Sequence, residues 1–94
     1  MIKFEWDDTK NTINYKKHLV WFEEAQTVWA DLNSIEFFDP EHSELEDRFL
    51  RLGMSTQAKV LLIVFCEKNE GHSIRIISAR KATEKEQKQY EKRI

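Results

Sequence analysis

Cysteine, which can cross-link a chain, is scarce in this sequence, and so are proline and glycine, which interrupt helices and strands. Among 94 residues there are one cysteine, Cys66, one proline and two glycines. A single cysteine excludes an internal disulfide and a disulfide-built scaffold, and the scarcity of glycine and proline predicts regular structure joined by short loops. The longest apolar run, residues 60–66, fits a buried strand but is too short for a membrane span, and no stretch is typical of a signal peptide. We therefore expect a cytoplasmic protein that does not bind membranes.

The chain has enough apolar residues for one packed core. Hydrophobic residues make up 40% of it and aromatic residues 12%, a composition typical of a globular domain and unlike that of a disordered segment. The length corresponds to one domain. We therefore expect a single domain over residues 1–94.

Basic side chains are missing from one long segment. Residues 20–47 contain nine acidic side chains and no lysine or arginine, so they carry −9 and the rest of the chain, whose total is −2, carries +7. The acidic balance argues against indiscriminate binding of nucleic acid, for which a domain pI above about 9 is typical. It leaves room for a local basic face beside an acidic one, although the acidic run also fits a plain solvated surface.

The hydrophobic pattern predicts an α+β fold with element order β-α-α-β-β-β-β-α. Four successive strands with short turns indicate an antiparallel sheet of four to five strands, with two N-terminal helices and one C-terminal helix packed on one side. The predicted strands cover residues 4–6, 34–38, 46–53, 60–66 and 73–79, and the predicted helices cover residues 8–17, 22–29 and 84–94.

The first and last helices are both polar. In the first, Ile13 is the only strong apolar anchor, while Lys10, Asn14 and Lys17 recur at helical spacing and share one face with His18 just beyond. The last begins with a capping box, Thr83 with Glu86. Because it has few apolar residues, we expect it to dock weakly or to meet a partner.

Arginines stand at positions where the predicted strands could present them together. Alternation along residues 46–53 puts Glu46 and Arg48 on one face and Arg51 on the other. Arg75 interrupts an otherwise apolar strand, and Arg80 lies just past the end of that strand. Element ends are common places for functional groups.

Three blocks of residues, spread over nearly the whole chain, form a recognisable pattern. The blocks are Phe4-Glu5-Trp6-Asp7 with Lys10, Asn14, Lys17-His18 and Phe22-Glu23-Glu24-Ala25; Asp39-Pro40-Glu41-His42-Ser43 with Glu46-Asp47-Arg48-Phe49 and Gly53; and Arg75-Ile76-Ile77-Ser78-Ala79-Arg80-Lys81-Ala82-Thr83 with Glu86 and Tyr90-Glu91. In this order the blocks resemble the BrnT toxin family. The last block is the most specific, because it is a long consecutive match.

The resemblance implies a fold similar to RelE-type bacterial toxins and an RNA-cleaving toxin. It also implies a cognate, BrnA-like antitoxin that carries a DNA-binding domain, with which the toxin represses its own operon. A dimer and a toxin–antitoxin heterotetramer are both compatible with it. The sequence departs from the family at Leu19, Trp21 and Leu45, where Gly, Ser or Thr, and Gly are usual, so we expect altered turns there.

Cleaving RNA without a metal requires a base near the 2′-hydroxyl, a cation on the phosphate and an acid for the departing 5′ oxygen. The planar fork of arginine suits phosphate, and histidine exchanges protons near neutral pH. The histidines lack metal-ligand spacing, so we predict no metal and no cofactor. The candidate catalytic residues are Arg48, Arg75 and Arg80 on phosphate, Glu46 as base or as orienter of an arginine, and His18 as a second acid–base group; the candidate RNA-binding residues are Lys10, Lys17 and Lys81.

Each candidate also has a structural interpretation. Arg75 can pair with Glu46 across the sheet, Arg80 can serve the junction before the last helix, and His18 can complement a helix dipole. The alternative function is a non-catalytic module that binds an antitoxin-like regulator. Three arginines scattered over different faces would favour that alternative, whereas one shared face would favour the enzyme.

Overall fold

A computed structural model describes residues 1–43 and 46–94 and has the element order that the sequence predicts. Glu44 and Leu45, and with them the predicted effect of Leu45 on its turn, lie outside the described residues. Within the described part, no helix is long and apolar enough to cross a membrane. The elements are β1 (Lys3–Glu5), α1 (Asp8–His18), α2 (Phe22–Ala25), β2 (Ile35–Phe38), β3 (Arg48–Met54), β4 (Val60–Lys68), β5 (Ser73–Lys81) and α3 (Glu84–Glu91).

The five strands form one sheet in the order β1-β5-β4-β3-β2. Strands β2 to β5 pair antiparallel, as predicted. The expectation of a wholly antiparallel sheet was wrong for β1, which runs parallel to β5. A three-residue strand carries no pattern that encodes the direction of its partner, so the sequence could not reveal this pairing.

The main core lies between the sheet and the α1–α2 side. Phe22, Ala25 and Val28 are fully buried there against Ile63 and Phe65 of β4. Trp29 packs edge-on against Phe4 and Phe65. The second helix is shorter than predicted, because after Ala25 the chain tightens into a 3₁₀ turn, Gln26–Ala30, that packs on β3. Gly53 permits this approach, since a Cβ there would lie 2.7 Å from the side chains of both Val28 and Ser34.

Helix α3 lies on the opposite side of the sheet, so the expectation that all helices pack on one side was wrong. Tyr90 packs with Leu52, Val60 and Leu62, and its hydroxyl donates a hydrogen bond to Asp31 at 2.6 Å. Helix α3 has only eight residues and covers one end of this face. At the other end, no helix of the described chain covers the sheet.

Helix α1 is held to the sheet by asparagines, not by Ile13. Ile13 is 46% exposed, whereas Asn11 and Asn14 are buried. The Asn14 amide accepts a hydrogen bond from the backbone N–H of Ala79 and donates one to its C=O, and so takes the place of a neighbouring strand. Asn11 accepts from the N–H of Phe22, at the start of α2. The apolar pattern therefore gave the wrong anchor for this helix.

Candidate functional site

The side of the sheet that carries α3 is left uncovered at its other end by the described helices, and we call this part the open face, or the open half of the sheet. It presents two arginines in one row across neighbouring strands. Arg48 of β3 and Arg75 of β5 are both paired with Cys66, which lies between them on β4. Two strand spacings put their Cα atoms roughly 10 Å apart. Both arginines are half-buried and Cys66 is fully buried. The expected facing of β3 is confirmed, because Arg51 lies on the other side, over the ring of Trp29 at 4.8 Å.

Carboxylates border Arg75 on two sides. Glu46, just before β3, forms an ion pair with its guanidinium, and both side chains remain more than a third exposed. On β1, Glu5 lies beside Arg75 and pairs with Lys68 at 3.0 Å. The hydrogen bond from Lys68 lowers the pKa of Glu5. Glu46 is thus held next to an arginine on the open face, where it can orient that arginine or accept a proton.

The guanidinium groups retain unused hydrogen-bonding capacity. The Nε atoms of Arg48 and Arg75 are buried, and neither has a hydrogen-bond partner in the described chain. None of the described carboxylates forms an ion pair with Arg48. A buried donor without a partner is costly. The Nε of Arg51, on the other side of the sheet, is buried and unpartnered in the same way, so an anion on the open face would bind through the exposed parts of Arg48 and Arg75 and not through their Nε atoms.

Arg80 lies on the same face but further along β5. Arg80 is paired with Leu62 of β4, which lies four residues from Cys66. Measured along β4, the Arg80 pair is therefore roughly 13 Å from the Arg75 pair. Its guanidinium donates to both carboxylate oxygens of Glu86 in α3, at 2.8 and 3.0 Å. The hydrogen bond with Arg80 lowers the pKa of Glu86 from 4.5 to about 2, and the same bond raises the pKa of Arg80. Arg80 therefore borders the open face and also ties α3 to the sheet.

A β-bulge in β5 separates these two rows. Val64 pairs with Ser78 and Phe65 with Ile76, so Ile77 is an extra residue without a partner. Alternation places Ser78 on the face of Arg80. The sequence did not single out Ser78, because a period-two pattern does not reveal where a bulge falls.

The predicted cations of α1 meet β5 at this bulge. A groove of about 160 Å³ runs between the helix and the strand, and Asn14 forms its floor. Lys10 and Lys17 are therefore brought together with His18, as helical spacing predicted, but on the edge of the sheet and not among the arginines. The groove is lined by Lys10, Ile13, Asn14, Lys17, His18, Ile77 and Ser78.

Other candidates lie elsewhere. Lys81 follows Arg80 and is paired with Leu61 of the main core, so it points to the α1–α2 side of the sheet. His42 is exposed and pairs with Asp39 at 2.9 Å. Across residues 1–43 and 46–94, no group of three or more His, Cys, Asp or Glu side chains could hold a metal ion.

The Phe-Glu-Glu-Ala stretch performs a structural task. The buried carboxylate of Glu24 accepts a hydrogen bond from Ser55 at 2.7 Å and pairs with Lys59 at 3.4 Å, which anchors the β3–β4 turn to α2. Glu23 accepts from Asn11 at 2.8 Å. These two acidic residues therefore belong to the scaffold on which the open face is built.

The arrangement suits an anionic, phosphate-containing ligand. Arg48, Arg75 and Arg80 all lie on one face of the sheet, and arginine donors fixed around a phosphate stabilise negative charge that develops on it. Glu46 adds a carboxylate at the same place. One shared face is the arrangement that favours an enzyme over a module that only binds a partner.

Comparison with known proteins points to one family. The sequence profile of the family described as "Ribonuclease toxin, BrnT, of type II toxin-antitoxin system" matches residues 6–86. Among solved structures, the chain is similar to the Brucella abortus ribonuclease toxin BrnT, with a TM-score of 0.63 and 19% sequence identity over 89% of this chain and 100% of that one. No curated protein matches the sequence.

Proposed function

Because the chain belongs to the BrnT family of ribonuclease toxins from type II toxin–antitoxin systems, we propose that it cleaves RNA on the open half of its sheet without a metal ion. The observation that carries this proposal is the row of Arg48 and Arg75, with Glu46 paired to Arg75. An RNA phosphate over this row would meet two half-buried arginine side chains, neither of them fully enclosed by the protein.

The proposed reaction is attack by the 2′-oxygen on the adjacent phosphorus. A bond forms from phosphorus to the 2′-oxygen, and the bond from phosphorus to the 5′-oxygen breaks. A base takes the 2′-hydroxyl proton, and an acid protonates the leaving 5′-oxygen. The products carry a 2′,3′-cyclic phosphate and a 5′-hydroxyl. Arg48 and Arg75 stabilise the charge on the non-bridging oxygens, a contribution that reaches about 10²–10³-fold for a single fixed donor.

Two groups are available for proton transfer. Glu46 lies against Arg75 and acts either as the base or as the group that orients this arginine. His18 lies across the β5 edge, in the α1 groove, and is the second acid–base candidate. A positioned acid or base contributes about 10²–10⁴-fold to the rate. Arg80 supplies a further cation where the open face meets α3, and Lys81 contributes only if RNA passes around the end of β5.

The biological consequence follows from the family. Cleavage of cellular RNA inhibits translation and arrests growth until a cognate antitoxin, a DNA-binding protein, neutralises the toxin in the cytoplasm. The open half of the sheet is the surface that such an antitoxin would need to cover. Expression of the chain with and without its antitoxin, scored for growth and for RNA integrity, tests this consequence.

The sharpest test of the site compares arginines on different surfaces. End-labelled single-stranded RNA is incubated in EDTA with the wild type, Arg48→Ala, Arg75→Ala and the exposed C-terminal control Arg93→Ala. We expect the first two variants to lose at least about 100-fold in rate and the control to match the wild type. Equal cleavage by all four proteins, after each is shown to be folded, would exclude the open face as the site.

A further inference from the structure

The groove between α1 and β5 lies next to the open face but outside the row of Arg48 and Arg75. Its floor is Asn14, which is bonded to both backbone groups of Ala79. Its walls carry Lys10 and Lys17 on the helix and Ser78 on the strand. Since Ser78 shares the face of Arg80, the groove opens onto the same surface as the arginines.

Charge distinguishes this edge of the sheet from the opposite one. Strand β2, within the acidic segment, forms the far edge, where Glu36 faces Arg51. The α1–β5 edge presents two lysines and His18. A polyanion lying across the open face would therefore be drawn toward α1, whereas Glu36 of β2 is neutralised by Arg51 on the other side of the sheet.

We infer that the α1–β5 groove binds a single-stranded segment of RNA that flanks the cleaved phosphate. Lys10 and Lys17 contact its phosphates, the hydroxyl of Ser78 hydrogen-bonds to the sugar–phosphate backbone, and the apolar walls of Ile13 and Ile77 contact a base. The bulge lies at Ile77, which lines the groove together with Ser78, and a bulge bends its strand locally.

The groove suits a single strand. It has a volume of about 160 Å³ and lies between α1 and β5. Sequence-tolerant recognition of single strands combines a cationic track for the backbone with surfaces for individual bases, and the groove offers both. The inference rests on the proposed function and names the kind of RNA that the site accepts.

The test measures binding of RNA that cannot be cleaved, so that it is separate from the test of activity. A fluorescent 2′-O-methyl oligonucleotide, long enough to reach from the open face into the groove, is titrated with wild type, Lys10→Ala, Lys17→Ala, the double variant with both of these substitutions, and Lys16→Ala. Lys16 is adjacent to Lys17 in α1 but does not line the groove, so it is the matched control. A dinucleotide that covers only the open face provides the matched ligand.

The salt dependence of binding identifies the phosphate contacts. Each lost contact to a single strand lowers the slope of log affinity against log salt by about 0.7, so the double variant loses about 1.4. Between 50 and 200 mM salt, this makes the decline in wild-type affinity about sevenfold larger than that of the double variant. The dinucleotide slope stays unchanged.

Equal salt slopes for Lys16→Ala and Lys17→Ala would overturn the groove assignment. So would a decrease in slope that is equal for the long oligonucleotide and for the dinucleotide. Failure of the wild type to cleave any RNA would overturn the proposed function instead, since the binding measurement needs no cleavage. The two outcomes are therefore distinguishable.

Discussion

At the scale of single residues, Leu19 occupies a backbone conformation that suits glycine. It ends α1 with φ of 59°, in the left-handed region, and its side chain is 62% exposed. A side chain in this region costs roughly 1–2 kcal/mol. The departure from the family's usual glycine was visible in the sequence, but its conformational consequence required the structure.

We therefore expect Leu19→Gly to stabilise the protein by about 1 kcal/mol, measured as the free energy of unfolding in urea. The matched control is Leu32→Gly, because Leu32 is also exposed but is not among the residues with positive φ. The control should be neutral or destabilising, since glycine has more backbone freedom to lose on folding. A loss of stability with Leu19→Gly would contradict this account of the turn.

Asn14 shows why a polar residue can matter more than an apolar one on the same helix. Its amide makes three buried hydrogen bonds, to the C=O of Val20 and to the N–H and C=O of Ala79. Helical spacing places Asn14 on the same helix face as Lys10 and Lys17. It cannot show that this face meets an unpaired strand edge, because the position of β1 determines how much of that edge is open.

We expect Asn14→Ala to destabilise the protein by on the order of 3 kcal/mol, because it leaves buried backbone groups without partners. Ile13→Ala should cost less than about 1 kcal/mol, since Ile13 is half exposed. Urea unfolding of both variants is the measurement. A larger loss of stability for Ile13→Ala than for Asn14→Ala would show that Ile13 anchors the helix, as the sequence pattern predicted.

At the scale of elements, α3 is a polar helix held by a few specific contacts. The capping box predicted from Thr83 and Glu86 is present, and the same Glu86 carboxylate also accepts from Arg80. Tyr90 adds its hydrogen bond to Asp31; burial and then this bond raise its pKa to about 12. That this helix docks weakly or meets a partner stays a prediction from its composition. The side of the sheet on which it packs was not predictable, because Tyr90 alone does not indicate a direction.

The Arg80–Glu86 pair predicts a loss of stability in acid. The pKa of Glu86 is lowered from 4.5 to about 2, so its contribution is complete above pH 4.5 and is lost as the pH falls toward 2. After allowance for solvent screening, we expect about 2 kcal/mol from this pair. Unfolding free energies measured across this pH range test the prediction.

Glu86→Gln supplies the comparison for the acid measurement. This variant should be less stable than the wild type at neutral pH and should lack the part of the acid-induced loss that Glu86 contributes. Identical pH profiles for the two proteins would mean that the ion pair does not hold α3 in solution. A loss of ellipticity that precedes global unfolding would locate the change in the helix.

At the scale of the whole molecule, the two sides of the sheet are covered differently. One side carries the main core under α1 and α2, and the other is divided between α3 and the open half with Arg48 and Arg75. The alternation of β3 predicted that Arg48 and Arg51 face opposite sides, whereas the sequence left open whether Arg75 and Arg80 share the face of Arg48. The bulge at Ile77 and the parallel β1 were beyond sequence reasoning, because both depend on pairing between distant strands.

The central claim is that the open half of the sheet cleaves RNA by attack of the 2′-oxygen without a metal. The most direct measurement is analysis of the ends of single-stranded RNA fragments that the wild type makes in EDTA, with Arg75→Ala as the comparison. We predict 2′,3′-cyclic phosphate and 5′-hydroxyl ends from the wild type, and at least about a 100-fold slower reaction from the variant. Absence of cleavage in EDTA with restoration by a divalent ion, or 3′-hydroxyl ends, would contradict the account.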